Sequence, residues 1–171
     1  MITTKFSVRI YGDSCLRKKS SPVKKVGPSE RILIASMIET MNDHKGVGLA
    51  APQVGINEQI FVADVGDGPM AFVNPQIKKK RGSEVMEEGC LSIPGVLVDI
   101  KRPKNIVVHY LDENNKKVER EFDGLLARVI QHETDHLKGK LIIDYAGWYQ
   151  KLKLKRQLKD IRKLSQEVVS P

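Results

Sequence analysis

Three side chains in the stretch "QHETDHLKG" (131–139) have the types and the spacing to handle a metal ion: His132, Glu133 and His136, which spell H-E-x-x-H. On a helix, residues four apart share a face, with Cβ atoms roughly 5–6 Å apart. His132 and His136 can therefore grip one ion through one imidazole nitrogen each. Glu133 projects beside them, placed to take a proton from water and return it to a leaving group. Chance on a polar surface helix could give the same letters. The preceding "GLLARVI" is largely apolar, however, so the helix is expected to be buried and its charges to need partners. Two imidazoles rarely hold a catalytic metal alone, which leaves a third ligand to find.

Elimination narrows the search. A protease of the extended H-E-x-x-H-x-x-G-x-x-H type needs a histidine at 142, where this chain has Ile142. The thermolysin arrangement uses a glutamate well downstream. The only one here, Glu167, lies in a short tail after a basic helix. Upstream, Cys90 stands out in "EGCLSIPG" (88–95), beside Gly89, which permits close backbone approach, and before Pro94, expected to end the segment. A lone cysteine is ordinarily a small buried hydrophobe. Beside an unfilled two-histidine site it becomes the candidate ligand.

The elements that must position these residues can be read from the pattern. "PSERILIASMIETMNDHKG" (28–46) opens on Pro28-Ser29 and repeats Leu33, Met37, Ile38 and Met41 at helical spacing. "GVGLAAPQVG" (46–55) is too rich in glycine, and too broken by Pro52, to be a helix interior. Segments 59–65 and 71–77 read as strands around a "GDG" turn, and 104–122 as a hairpin around Asp112–Asn115. His109 within that hairpin is expected to be a surface or core residue. From Asp123 to Lys138 the period becomes helical, with Leu126, Ile130 and Leu137 on one face and Gly139 as its stop. A short extended "KLIIDY" (140–145) then leads to a basic helix over 148–166, with Leu154, Leu158 and Ile161 as its apolar stripe. No repeat or linker divides the chain, so one α+β domain over 1–171 is expected.

Composition bounds the setting. Net charge is +8, and residues 151–163 hold seven basic residues against one acid, leaving the remainder near balance. Such a tail suits an acidic partner, nucleic acid included, or simply a solvated face. The N-terminus has no apolar signal region and no stretch approaches membrane-spanning length, so no membrane association and a cytoplasmic location are expected. Cys15 and Cys90 cannot form a disulfide framework; Cys15, with no histidine or second cysteine nearby, reads as a small side chain, buried or semi-exposed, without a functional role.

"GVGLAAPQVG", "EGCLS" and "QHETDH", in this order and spacing, resemble the three motifs of the peptide deformylases. That family removes the formyl group from the N-terminal methionine of nascent bacterial and organellar proteins. The resemblance runs from "YGDSCLRKK" to the C-terminal helix. It implies antiparallel sheets packed around a buried central helix that carries the metal motif, flanked by an N-terminal helix and the basic C-terminal one. It makes Cys90, His132 and His136 the ligands of one divalent ion per chain. Fe²⁺ is implied in cells, with Zn²⁺, Ni²⁺ or Co²⁺ able to occupy the site. By the same comparison Glu133 is the general acid/base, and the Gln53 side chain and the Leu91 N–H meet the oxyanion. Gly48 and Gly89 match positions along the substrate backbone, while Val47, Met86, Leu125, Val129 and His132 line a methionine pocket.

The implied substrates are N-formylmethionyl nascent peptides. The basic helix fits the family's habit of docking on the ribosome, so removing residues after Tyr149 should weaken ribosome cosedimentation and spare turnover. Leu97 stands where some members carry arginine or an aromatic residue, which leaves contacts beyond methionine open. Asp135 faces away from the metal and is expected to pair with a base such as Arg102. Arg128 either borders the pocket mouth or reaches solvent. Two rivals remain: a peptidase, which lacks its third ligand here, and a structural-metal module binding ribosome or RNA, which would need neither Glu133 nor Gln53.

Overall fold

The computed structural model describes residues 4–169, with side chains through Gln166; the Glu167 side chain lies outside the described residues. Helix α1 (Pro28–Asp43) starts on a proline whose fixed φ suits the first turn, and Glu30 Oε2 accepts the Gly27 N–H at 2.6 Å. Seven strands follow or flank it: β1 (Gly48–Ala50), β2 (Ile60–Ala63), β3 (Met70–Arg81), β4 (Glu84–Cys90), β5 (Ile93–Arg102), β6 (Asn105–Leu111) and β7 (Lys117–Phe122). Two more helices complete the described residues, α2 (Gly124–Leu137) and α3 (Trp148–Val169).

The strands form an antiparallel sheet in the order β1-β2-β3-β6-β7 and a separate antiparallel pair, β4-β5. On the outer side of β1 and β2, α1 buries Leu33, Ile34, Met37 and Met41 among Leu49, Ile60 and Val62. The other face receives α2, whose Ala127, Val129, Ile130 and Leu137 pack with Ile106, Val108 and Phe122. Four of the chain's nine aromatic residues, Phe61, Phe72, Tyr110 and Phe122, gather on this face: Phe61 and Phe72 stack with centroids 4.7 Å apart, and Tyr110 lies 4.5 Å from Phe72.

A third cluster joins Ile93, Val96, Val98 and Ile100 of β5 to Leu141–Ile143 and to the Leu154, Leu158 and Ile161 stripe of α3. Strand β5 alternates so that Val98, Ile100 and Arg102 point the same way, placing a guanidinium on an otherwise apolar face.

Three local outcomes matter for the site. Gly139, at φ +71°, ends α2 by donating to the His136 carbonyl at 3.0 Å; a Cβ there would run into the backbone of Arg17. The extended reading of "KLIIDY" is corrected: Ile142–Asp144 is a 3₁₀ turn, because Asp144 Oδ2 accepts the Leu141 N–H at 2.9 Å. Pro94 does not end its segment either. It is the second, exposed residue of β5, where a missing N–H is tolerated at a strand's start. Among the described residues no helix is long and apolar enough to cross a membrane.

Candidate metal centre

The site forms where β4 runs beside α2. Cys90 closes β4, and its Sγ lies 3.3 Å from His136 Nε2. The ligand atoms of Cys90, His132 and His136 all fall within 4.8 Å of one another. A tetrahedral ion with one sulfur and two nitrogen ligands needs edges of about 3.4–3.6 Å, so the three donors fit with small adjustments. The donor set also suits a borderline-soft divalent metal.

His132 is aimed by a neighbour, whereas His136 Nδ1 is buried with no hydrogen-bond partner among the described residues. His132 Nδ1 meets Glu88 Oε2 at 3.0 Å, which leaves its Nε2 for the metal side. Glu88 in turn accepts two hydrogen bonds from Arg102, Nε to Oε1 at 2.6 Å and a terminal nitrogen to Oε2 at 2.9 Å. Arg128 donates to Glu88 at 2.7 Å and to the carbonyls of Ile100 and Glu84, so it is a buried clamp that also borders the cleft. Arg102 reaches on to Asp135 at 2.9 Å, the pairing anticipated from the sequence, and Tyr145 donates to the same carboxylate at 2.7 Å.

Electrostatics follows from this packing. Burial would raise the Glu88 carboxyl, but hydrogen bonds from His132 and Arg102 outweigh it and hold it down to about 2. His136 is pushed down, by burial first and then by its charged neighbours. Burial also works to lower His132, but its hydrogen bonds to Cys90 and Glu88 overcome that and raise it. An ion held by both rings requires both neutral, so binding would displace the His132 proton.

Glu133, like His136 Nδ1, is an exception to this pairing. It is buried, its Oε2 has no hydrogen-bond partner among the described residues, and burial pushes its carboxyl up to about 7. Room for it comes from Gly48: a Cβ there would collide with Glu133 Oε1 and come within 2.7 Å of Val129. That is the physical reason for glycine in "GVGLAAPQ".

Gln53 sits in the short 3₁₀ turn Ala51–Val54. Its Oε1 accepts the Ala50 N–H at 2.8 Å, so its Nε2 must face the site, 3.2 Å from Ser92 Oγ and 3.6 Å from Cys90 Sγ. A cleft of about 620 Å³ opens over these groups. Val47, Gly48, Gln53 and Met86 line it, as do Gly89, Leu91, Leu125 and Val129, together with Cys90, His132 and Glu133. His136 lies beneath, against Cys90. Val47, Met86 and Leu125 are 44, 42 and 49 % exposed, an unusual concentration of open apolar surface around one opening.

Sequence reasoning left Glu88, Ser92 and Tyr145 unassigned. Strand parity offered a signal for the first, since Glu88 and Cys90 are two apart in β4. Nothing local marks Ser92 or Tyr145. Of the two readings open for Cys15 the structure shows the buried one, with Sγ 3.3 Å from the Pro52 carbonyl and its thiol pushed by burial up to about 12.

A carboxylate without a protein partner, next to a three-donor metal cradle under an apolar cleft, is built to activate water, and the class is a metal-dependent hydrolase. The chain belongs to the polypeptide deformylase family, which it matches over residues 5–152. It is 48 % identical over 157 residues to a peptide deformylase of Thermotoga maritima, spanning 91 % of this chain and 96 % of that one. The crystal structure of peptide deformylase from Thermotoga maritima superposes with a TM-score of 0.82 at 49 % identity, over 84 % of this chain and 99 % of that chain. One from Legionella pneumophila gives 0.88 at 35 % identity, over 98 % and 100 %.

Proposed function

We propose a division of labour among the cleft residues for the reaction of this family, hydrolysis of the N-formyl group from peptides that begin with formyl-methionine, with release of formate. Cys90, His132 and His136 hold the metal. A divalent ion there supplies Lewis acidity, polarising a carbonyl oxygen and lowering the pKa of water from about 15.7 towards about 7.

Glu133, buried with a free carboxylate oxygen, takes a proton from the attacking water and passes it to the departing amine nitrogen. Gln53 donates from Nε2 to the developing oxyanion. Because Ala50 already fixes its Oε1, the donor is in place before reaction, and losing such a donor costs about 2.7–4 kcal/mol of transition-state stabilisation. The Leu91 N–H is the second donor. Gly48 and Gly89 let the substrate backbone lie against the chain. Val47, Met86, Leu125 and Val129, with the His132 ring, enclose the methionine side chain. The observation that carries the reading is the convergence of Cys90, His132 and His136 with unpartnered Glu133 beneath one apolar cleft.

The metal in cells is Fe²⁺, with Zn²⁺, Ni²⁺ or Co²⁺ able to replace it. Residues 1–171 act as one domain in the cytoplasm, and α3 docks on the ribosome through its cations, supported by an exposed face bearing Lys155, Lys159 and Lys163. The test is formate release by anaerobically purified protein from a formyl-Met peptide and from its acetyl-Met counterpart. Formate from the first and no deacylation of the second is expected. Equal activity on both, or none on either with metal bound, would overturn the assignment. Cys90→Ser should lose iron-dependent turnover and Cys15→Ser keep it.

A further inference from the structure

The cleft has two ends, and contacts between β4 and α2 fix their order. Arg128 bonds the Glu84 carbonyl, His132 meets Glu88, and His136 meets Cys90, so strand and helix advance together. Met86, Leu125 and Val129 therefore mark one end. Beyond Cys90 lies the other, where Leu91 abuts Gly46 and Pro94 and Gly95 continue the wall. On the reading above, a substrate whose methionine occupies the first end leaves by the second.

Lys45 stands at that exit. Its backbone is pinned in the turn that ends α1: Lys45 N–H donates to the Asn42 carbonyl and Gly46 N–H to the Met41 carbonyl, both at 2.9 Å, with Lys45 held at φ +54°. The side chain is exposed and has no ion-pair partner among the described residues. Asp43, two residues away, is already bound to Lys5 at 2.6 Å. His44 Nδ1 lies 2.9 Å from the Thr40 carbonyl, so that ring is tied to its own helix. Across the exit, Leu91, Pro94 and Gly95 bring no charge. Of the acids along the cleft, Glu88 is spent on Arg102 and Arg128, Glu133 is buried, and Glu87 follows Met86 at the opposite end. Among the residues lining the cleft, a departing peptide thus meets one uncompensated cation on a fixed backbone.

We propose that Lys45 is a specificity-determining residue that favours an acidic side chain at the second or third residue of the formylated peptide. The interaction is between solvent-exposed charges, so a modest effect of about 1.5–5-fold in kcat/KM is expected, weakened by salt. It builds on the deformylase reading, and turnover of the neutral peptides reports that reaction separately from the preference.

The experiment measures kcat/KM for C-terminally amidated formyl-Met tripeptides carrying Asp or isosteric Asn at residue two, and again at residue three. Amidation matters because a free terminal carboxylate would itself meet Lys45. In the unaltered protein the Asp:Asn ratio should exceed that of Lys45→Met by about 1.5–5-fold at one position or both. Lys45→Glu should lower it further, and 0.5 M salt should erase the difference. Lys104→Glu changes net charge equally but lies at the far end of β4, where Lys104 pairs with Glu84 at 3.7 Å. It should leave the ratio alone. Ratios unmoved by both Lys45 variants overturn the proposal, as does an equal change from Lys104→Glu, which would trace the preference to overall charge.

Discussion

Helices α2 and α3 are both rich in charged side chains, yet their charges live in opposite circumstances. In α2, Arg128, Glu133 and His136 are buried, and Arg128 and Asp135 are tied to partners on β4, β5 or the segment after α2. In α3, Lys151, Lys153, Lys155, Arg156 and Lys159 are exposed, while the Leu154, Leu158, Ile161 stripe and Ser165 turn inward and Gln150 and Gln157 donate to the Leu97 and Gly95 carbonyls. Charge in water costs little and contributes little. Charge out of water must be paired, and Glu133 Oε2 is a buried carboxylate oxygen left without a partner among the described residues. The contrast separates a helix that performs chemistry from one that presents a surface.

Four changes probe that contrast, in descending size. Glu133→Gln removes the proposed proton carrier while keeping its volume, so formate release should fall about 10²–10⁴-fold with metal content unchanged. Activity within a few-fold of the parent would deny Glu133 its role. Next, Arg102→Leu takes one of two guanidiniums from the buried carboxylate of Glu88, which keeps Arg128 and His132, and leaves Asp135 with Tyr145, at a cost of about 1–3 kcal/mol in denaturant unfolding. A loss near that of a surface mutation would mean the pair is far wetter than its burial indicates.

A smaller effect belongs to Asp144, at the joint between the two helices. Burial would raise its carboxyl, but hydrogen bonds from Arg17 and the Leu141 N–H lower it below the ordinary 3.8. A lowered carboxylate contributes stability that is fully present above the unfolded value and is lost as pH falls through the folded one. Unfolding midpoints of the parent and Asp144→Asn should therefore differ at neutral pH and converge in acid. A gap that stays constant below pH 4 would refute the pairing.

Smallest in stability are Lys155→Glu, Lys159→Glu and Lys163→Glu, each expected within about 0.5 kcal/mol. Together they should weaken ribosome cosedimentation without lowering peptide turnover. These reversals test docking better than removing everything after Tyr149, because that cut would also strip Leu154, Leu158 and Ile161 from their cluster with Leu16, Ile93 and Val96. Cosedimentation unchanged by the triple reversal would sink the docking role.

Much of this was legible in the residues. Helical spacing put His132 and His136 on one face, the failed search for a protease ligand pointed to Cys90, and an acid on a buried helix required a base such as Arg102. Periodicity located α1, α2, α3 and the β6-β7 hairpin. It failed at Ile142–Asp144, where one side chain hydrogen-bonding to its own backbone overrode an extended pattern. It failed again at Pro94, which only a two-stranded pairing makes compatible with β5.

The sequence by itself determined which atoms can bind a metal and which helix carries them, because those depend on residue type and a local period. Only the tertiary structure decided that Glu88 would aim His132, that Ser92 would flank Gln53, and that Glu133 Oε2 would stay buried without a partner among the described residues. Such roles belong to neighbours far apart in the chain. Whether a carboxylate is a paired anchor near 2 or a partnerless acid near 7 is set by what surrounds it, not by the letter it is written with.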